Sequence, residues 1–450
     1  MFTFDIAARL AGTDGKRGLG RAGVIHTPHG DIETPAFIPV GTKGTVKALT
    51  PELVHDAVGA HAVLANTYHL YLQPGTDVLR AAGGLGKFMN WPGPTFTDSG
   101  GFQAFSLQGG MKSRQSKFDR ASDAEISNGR GLSEPFREAS SADREKSSAS
   151  DVAVSLAKVD DDGVTFKSII DGSSHRFTPE RSVEIQHDIG ADIIFALDEC
   201  ARIDAPYEAQ RAAIERTRVW AERCIARHRE LGPGSGHPGS AGMEQALFGI
   251  IQGGKHEDLR RQSARDIAAV RTGTNDAVGF DGFGIGGTFE KSDMSKAVGW
   301  VCDELGRAGA GGKPRHLLGI GEPEDIILGI ENGADTFDCV APTRLGRNGA
   351  AYVRHSTNVD GSRRMGSFGR INLLNARFVN DFGPIDQGCE CHSCTHYTRA
   401  YLAHLFRAKE MLAATLLSVH NLHFLVSLAK EARKAIIEGR FQEFKEGLLS

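Results

Sequence analysis

The chain has 450 residues, 40% of them hydrophobic and 24% charged, with a formal net charge of −4. This is the composition of a globular protein with a large core, longer than one ordinary domain but suited to one barrel with an appendage. A slightly acidic chain excludes nucleic-acid binding over its whole surface, so any such site has to be a local basic patch.

Met1-Phe2-Thr3-Phe4-Asp5-Ile6 lacks the basic and apolar regions of a secretory leader, and no later apolar run reads as long enough to span a bilayer. A cytoplasmic location with no membrane partner is therefore expected. Eight short apolar runs bounded by Gly, Pro or polar residues predict strands at 35–40, 61–66, 95–98, 192–198, 246–252, 282–286, 316–320 and 336–340. Helical periodicity predicts helices over 179–189, 207–230, 259–271 and 324–332. Eight strands alternating with helices predict an α/β fold, a closed (β/α)8 TIM barrel whose site lies at the C-terminal strand ends. Asp98, Asp198, Gln252, Gly286-Gly287 and Asp338 fall at those ends. Two segments break the alternation. The polar, Ser-rich stretch 112–151 cannot build a core and is expected to be a largely disordered insertion between the third and fourth strands. Residues 164–166 and 168–170, before Asp171-Gly172-Ser173-Ser174, predict a small hairpin outside the barrel. After the last strand come a cysteine cluster, a helical pattern from 397 to about 430, and an amphipathic segment to 450. The expected domains are a catalytic barrel over 1–388 and a zinc-binding helical subdomain over 389–450, appended and packed on it.

Of seven cysteines, Cys200, Cys224, Cys302 and Cys339 are scattered, while Cys389, Cys391 and Cys394 cluster. An odd count with tight clustering argues for reduced thiols and a metal site, not a disulfide framework. Cys389-x-Cys391-x2-Cys394, followed after 25 residues by His420, predicts a tetrahedral zinc site, one ion per chain. His392 and His396 lie closer in sequence, but His392 would strain the short loop between ligating cysteines. With no place for an open coordination position, the zinc is expected to be structural.

Other stretches carry chemistry only in combination. Thr97-Asp98-Ser99-Gly100-Gly101-Phe102-Gln103 sets an acid at a strand end, then two glycines that let backbone approach a ligand. In Leu197-Asp198-Glu199-Cys200, alternation sends one acid into the barrel mouth and the other away. A carboxylate there can accept two parallel N–H bonds from a guanine edge, while Gln252 and the Gly286-Gly287 backbone can donate to a carbonyl. Asp335 to Gly349 begins as a strand around Asp338 and then turns basic: Thr343 to Arg370 holds six arginines (Arg344, Arg347, Arg354, Arg363, Arg364, Arg370), one acid, Asp360, and no lysine. The planar guanidinium suits phosphate, so arginine without lysine points to nucleic acid. Singly, each stretch also fits an ordinary strand end or a solvated loop.

Together TDSGGFQ, the DEC after the fourth strand, IQGG at Gln252, IGG at Gly287, FDCVAPTRLGRNG and CxCxxC…H resemble the bacterial tRNA-guanine transglycosylase family, from about residue 4 to the C-terminus, with mainly 112–151 outside the resemblance. The resemblance implies a zinc-bearing barrel and a homodimer. It implies exchange of the wobble guanine in tRNAs with GUN anticodons (those for Asp, Asn, His and Tyr) for a 7-deazaguanine such as 7-aminomethyl-7-deazaguanine, a step towards queuosine. By the same resemblance Asp338 would be the nucleophile that forms a covalent ribosyl-enzyme intermediate, and Asp98 the general acid/base. Asp98, Ser99, Gly100, Gly101, Phe102, Asp198, Gln252 and Gly287 would hold the base, with Phe102 stacked on it. Gly319-Ile320-Gly321-Glu322-Pro323-Glu324-Asp325 and Thr343-Arg344-Leu345-Gly346-Arg347 would grip the anticodon loop. The loop Thr288-Phe289-Glu290-Lys291-Ser292 departs from the family's usual LAVGE-type version, so the same exchange with queuine is the alternative. A non-catalytic accessory subunit would lack the catalytic acids, and both Asp98 and Asp338 are present. A metal-dependent barrel hydrolase would want His-x-His after the first strand, where this chain has Ile38-Pro39-Val40-Gly41.

Overall fold

The computed structural model describes residues 2–12, 18–106, 157–232, 244–273, 278–354 and 368–449. β1 (Thr3–Arg9), β2 (Arg21–Thr27) and β3 (Gly30–Thr34) form an antiparallel sheet. The barrel starts with β4 (Ala36–Pro39), β5 (Val63–Ala65) and β6 (Thr95–Thr97). A second antiparallel sheet follows, β7 (Ala157–Asp160), β8 (Gly163–Lys167) and β9 (Ser174–Phe177). Then come β10 (Ile193–Phe195), β11 (Ala246–Ile251), β12 (Gly282–Ile285), β13 (Arg315–Leu317) and β14 (Thr336–Cys339). The eight barrel strands pair in the order β4-β14-β13-β12-β11-β10-β6-β5. Val40 bridges Leu64, and the Gly41 N–H donates to the Leu64 carbonyl at 2.7 Å, which closes the ring between β4 and β5. Every expected barrel strand is present.

Side chains pointing inward from parallel strands have to fill the bore. Ile38, Leu64, Phe96, Phe195, Phe248 and Ile250 do so, and Ile25 and Ile32 of the N-terminal sheet join the same cluster. Arg21 of β2 is fully buried and forks onto Asp335 just before β14, Nε to Oδ1 at 2.8 Å and Nη2 to Oδ2 at 2.7 Å. Losing one partner of such a buried pair costs about 3–5 kcal/mol, so Asp335→Ala would unseat the sheet from the barrel.

The helix Pro179–Ile189 starts where expected because Thr178 accepts the Arg181 N–H and proline takes the first turn, and it stops at Gly190 with φ 74°. Tyr207–Glu230 also matches its expected bounds; Glu257–Ala269 and Pro323–Glu331 lie within two residues of theirs. Two expectations change. Residues 168–170 are not a strand but a turn in which Ser168 Oγ accepts the Ile170 N–H at 3.1 Å, and β8 pairs instead with β7 on one side and β9 on the other. The C-terminal helical pattern splits into Arg399–Ala408 and Met411–Ile437 because Lys409 takes a left-handed φ of 60°. The polar stretch 112–151 lies outside the described residues.

Met411–Ile437 also corrects the reading that no apolar run is long enough for a bilayer: by length and hydropathy this helix qualifies. However, 72% of its apolar window is buried inside the protein, as in a core helix. It ties the molecule together. Arg433 donates to the Gly23 and Thr34 carbonyls (2.6 and 2.7 Å), Lys430 to Gly59 O (2.8 Å), and Asn421 to Pro342 O and Ala350 O (3.0 and 2.9 Å). Against it lie the pair β15 (Ala350–Val353) and β16 (Gly369–Asn372) and a helix, Ala341–Arg347, where a basic loop was expected.

Candidate active site

Parallel barrel strands all end on one face, so the residues that follow them converge there. Asp98 follows β6 directly. Its Oδ1 accepts the backbone N–H groups of Thr67 (2.9 Å) and Gly100 (3.1 Å); its Oδ2 accepts from the Asn66 amide and from Gln103 Nε2 (3.3 Å). Gly100 sits at φ +75°, and a Cβ there would stand 2.8 Å from the Phe177 ring, so only glycine can turn its N–H to the carboxylate. Burial outweighs these donors, the nearby Asp338 charge adds to it, and the Asp98 carboxyl is pushed up to about 7.

Asp338 and Thr336 share the inward face of β14. Asp338 Oδ1 accepts from His316 Nε2 at 3.0 Å and from the Gly319 N–H at 2.7 Å, while Oδ2 has no hydrogen-bond partner among the described residues. His316 Nδ1 meets Thr336 Oγ1 at 2.8 Å. The imidazole is fully buried against the rings of Phe96 and Phe195, with centroids 5.6 and 5.3 Å away.

Asp198 and Gln252 end neighbouring strands, and the Gln252 amide donates to Asp198 Oδ2; Ser99 Oγ stands 3.4 Å from Oδ1. Glu199 turns the other way, to Arg216 on the outer helix. Gly287 has φ +90°, and a Cβ there would meet Arg260 Nη2 at 2.8 Å and Gln252 Oε1 at 2.9 Å. Phe102, on the Gly101–Ser106 helix, keeps 42% of its surface exposed, enough to offer a ring face. These groups make one mouth containing three carboxylates (Asp98, Asp198 and Asp338), hydrogen-bond donors and acceptors, and an aromatic ring.

The predicted anticodon-gripping stretches are more mixed. In 319–325, Gly319 serves Asp338, Ile320 and Asp325 are buried, and Gly321 leaves room for Cys339, whose Cβ would lie 2.5 Å from a side chain there. Glu322 pairs with Arg370 and Glu324 with Lys291 (3.4 Å), so these two acids are balanced by cations. In the basic stretch Thr343 and Gly346 are buried, while Arg344, Leu345 and Arg347 are partly exposed. Arg354 forks onto Glu431 (2.7 and 2.6 Å), so Arg354 and Arg370 are already committed to ion pairs. Arg363 and Arg364 lie outside the described residues.

Asn66, His316 and Arg260 were not singled out in the sequence. An Asn before a helix is a capping signal, and Asn66 does accept the His69 N–H at 3.0 Å, but nothing local shows its amide reaching Asp98. Arg260 is fully buried without a carboxylate partner among the described residues. It donates to Gly254 O (2.8 Å) and Gly286 O (2.7 Å) and lies 5.0 Å from the Phe289 ring, and burial brings its pKa down to about 10. A cavity of about 270 Å³ lined by His187, His228, Gln245 and Asp281 precedes the strands at the other end of the barrel and gathers none of these residues.

The Sγ atoms of Cys389, Cys391 and Cys394 lie 3.8, 3.5 and 3.4 Å from His420 Nδ1, and the four atoms fall within 4.8 Å of one another. Ordinary Zn–S and Zn–N bonds at tetrahedral angles separate sulfur from nitrogen by about 3.6 Å, so the cluster fits such an ion. His420 Nε2 donates to the Tyr352 carbonyl at 2.8 Å, which leaves Nδ1 as the lone pair facing the sulfurs. His392 and His396 lie outside the cluster, their rings 4.5 Å from each other.

A family model described as queuine tRNA-ribosyltransferase matches residues 16–156 and 144–450, so its first piece runs through the polar stretch 112–151. A queuine tRNA-ribosyltransferase of Herpetosiphon aurantiacus is 42% identical over 433 residues, 96% of this chain and 90% of its own. One from a Roseiflexus species is 43% identical over 444 residues, 98% of both chains. The Staphylococcus aureus protein of that name is 39% identical over 434 residues, 96% of this chain and 93% of its own.

Proposed function

The chain belongs to the queuine tRNA-ribosyltransferase family of pentosyl-transferring enzymes, and from that premise we propose that it exchanges the wobble guanine of GUN-anticodon tRNAs for 7-aminomethyl-7-deazaguanine by double displacement. The observation that carries this reading is the pair of carboxylates in one mouth, Asp338 with one oxygen that no donor among the described residues reaches and Asp98 pushed up to about 7. Asp338 attacks ribose C1′, the C1′–N9 bond breaks, and the electron pair leaves on guanine with a proton from Asp98. The incoming base returns its N9 proton to Asp98, and its N9 then displaces Asp338 from C1′. A carboxyl near neutrality serves as acid in the first half and base in the second. Asp198 accepts from the base's Watson–Crick edge, Gln252 and the Gly287 N–H donate to its carbonyl, Ser99, Gly100 and Gly101 shape the wall, and Phe102 stacks on it. A base lifted out of a single-stranded loop presents those groups.

Arg344 and Arg347 contact phosphates of the anticodon loop beside the 319–325 stretch. Cys389, Cys391, Cys394 and His420 hold one zinc ion that fixes the appended subdomain; four protein ligands leave no open position, so it takes no part in exchange. Exposed Phe382 and Met411 in the C-terminal segment supply apolar surface for a homodimer, working in the cytoplasm where tRNA is modified.

The test is exchange in unmodified tRNA carrying labelled guanine, with 7-aminomethyl-7-deazaguanine and queuine supplied separately. Label release with the aminomethyl base is expected. Release with queuine alone reassigns the base to that alternative, and release with neither overturns the enzyme reading. Asp338→Asn should bind tRNA yet form no covalent adduct on a denaturing gel.

A further inference from the structure

A carboxylate nucleophile has two equivalent oxygens and a soft final torsion, so attack is efficient only if one oxygen is held and the other aimed. We infer that His316 is the positioning residue that does this: with the Gly319 N–H it fixes Oδ1 of Asp338, so that Oδ2 is the oxygen that attacks C1′. The inference rests on the reading of Asp338 as the nucleophile.

The hydrogen-bond chain has one sense. His316 Nε2 lies 3.0 Å from Asp338 Oδ1, a carboxylate oxygen that offers only lone pairs, so Nε2 carries the proton. On the other side Thr336 Oγ1, 2.8 Å from Nδ1, can either donate or accept, so the Nε2–H bond survives whether the ring is neutral or charged. The ring cannot easily swing away. His316 is paired in register with Thr336 across β13 and β14, and Phe96 and Phe195 wall it from β6 and β10. Asp338 lies two residues beyond Thr336 on the same inward face, so register brings all three side chains together.

The same bonds serve both half-reactions. As Oδ2 bonds to C1′ and the C1′–N9 pair departs on the base with a proton from Asp98, Oδ1 becomes the ester carbonyl and keeps both donors. When N9 of the new base displaces Asp338, the electron pair of the Oδ2–C1′ bond returns to the carboxylate, and the donors on Oδ1 stabilise the charge that develops.

The experiment measures single-turnover adduct formation at saturating tRNA, tRNA affinity and melting temperature for His316→Phe, His316→Gln and His316→Asn. Phe keeps a ring without a donor, Gln carries an amide nitrogen near the reach of Nε2, and Asn falls short. Losing one donor to a charged group should slow adduct formation by about 10- to 100-fold in Phe and Asn, with Gln within about 5-fold of the wild type and tRNA affinity within about 2-fold throughout. Wild-type adduct rates in the Phe variant overturn the inference. If the Phe variant does not fold, equal rates for Gln and Asn overturn it instead. Failure of the underlying reading looks different: no adduct in the wild type, or adduct persisting in Asp338→Asn, removes the nucleophile itself.

Discussion

Asp98 should make the protein less stable as the pH rises towards neutrality. Its carboxyl titrates at about 7 in the folded chain against an ordinary 3.8, because burial, and then the charge of Asp338, penalise the ionised form. Between those values the folded state keeps a proton that the unfolded chain has released. Stability from this group is therefore greatest below 3.8, falls as pH rises, and levels off above about 7. A shift of that size corresponds to about 4 kcal/mol in full, with about 2.5 kcal/mol of it between pH 5 and 8. Asp98 is partly exposed at the mouth, so screening by water should reduce the measurable part to about 1–2 kcal/mol. The assay is the difference in urea stability between the wild type and Asp98→Asn at pH 5, 6, 7 and 8 and fixed ionic strength. Other groups titrate alike in both and cancel. Asp338→Asn removes the lesser cause, so in that background the fall should shrink without vanishing. A difference that stays flat from pH 5 to 8 would show that Asp98 ionises as an ordinary carboxylate and cannot give up a proton near neutrality.

Arg344→Ala and Arg347→Ala should each weaken tRNA binding and flatten its salt dependence by about one unit of slope for each phosphate no longer neutralised. Arg354→Ala should cost stability while leaving that slope alone, because its guanidinium is engaged by Glu431; binding measured across a salt series separates them, and equal slopes in all three would refute the assignment. Cys391→Ser should lose bound zinc and loosen the C-terminal segment, since metal binding and folding share one free energy there. Wild-type protein purified without chelators and found free of metal would refute this.

The barrel was legible because its strands are short apolar runs whose polar ends recur at fixed places, and a glycine pair or an acid at such an end survives any detail of packing. What stayed hidden depends on partners distant in sequence. Ala341–Arg347 reads as a basic loop after a strand. It is a helix because Gly346 lets it pack on Met411–Ile437, where a Cβ would stand 2.8 Å from the Ser418 nitrogen. His316 opens an apolar run and reads as a core residue; only the register of β13 against β14 brings it to Asp338. Arg260 looks like one more cation on a helix with Arg261 and Arg265, yet those two pair with acids, Arg261 with the exposed Glu257 and Arg265 with the buried Glu304, while Arg260 is buried under Gly286. The N-terminal sheet escaped notice because its strands follow one another without helices, outside the alternation that revealed the barrel.

Two acids in one mouth need different surroundings if they are to do different work, and here the difference lies in where the donors point. Asp98 is approached on both oxygens, by Thr67 and Gly100 on one and by Asn66 and Gln103 on the other. An oxygen with two donors aimed at it has little lone-pair density left for a carbon. Such a carboxyl can still trade a proton when the longest of those hydrogen bonds, the 3.3 Å one from Gln103, gives way. Asp338 has both of its donors on Oδ1 and none on Oδ2 among the described residues. That oxygen is at the strand end, where the proposed ribose would enter. Exchanging the two side chains' roles would require moving backbone N–H groups fixed by Gly100 and Gly319, whose positive φ values of 75° and 70° belong to the barrel loops themselves. The division of labour proposed for proton carrier and nucleophile therefore rests on these backbone N–H groups as much as on the two aspartates.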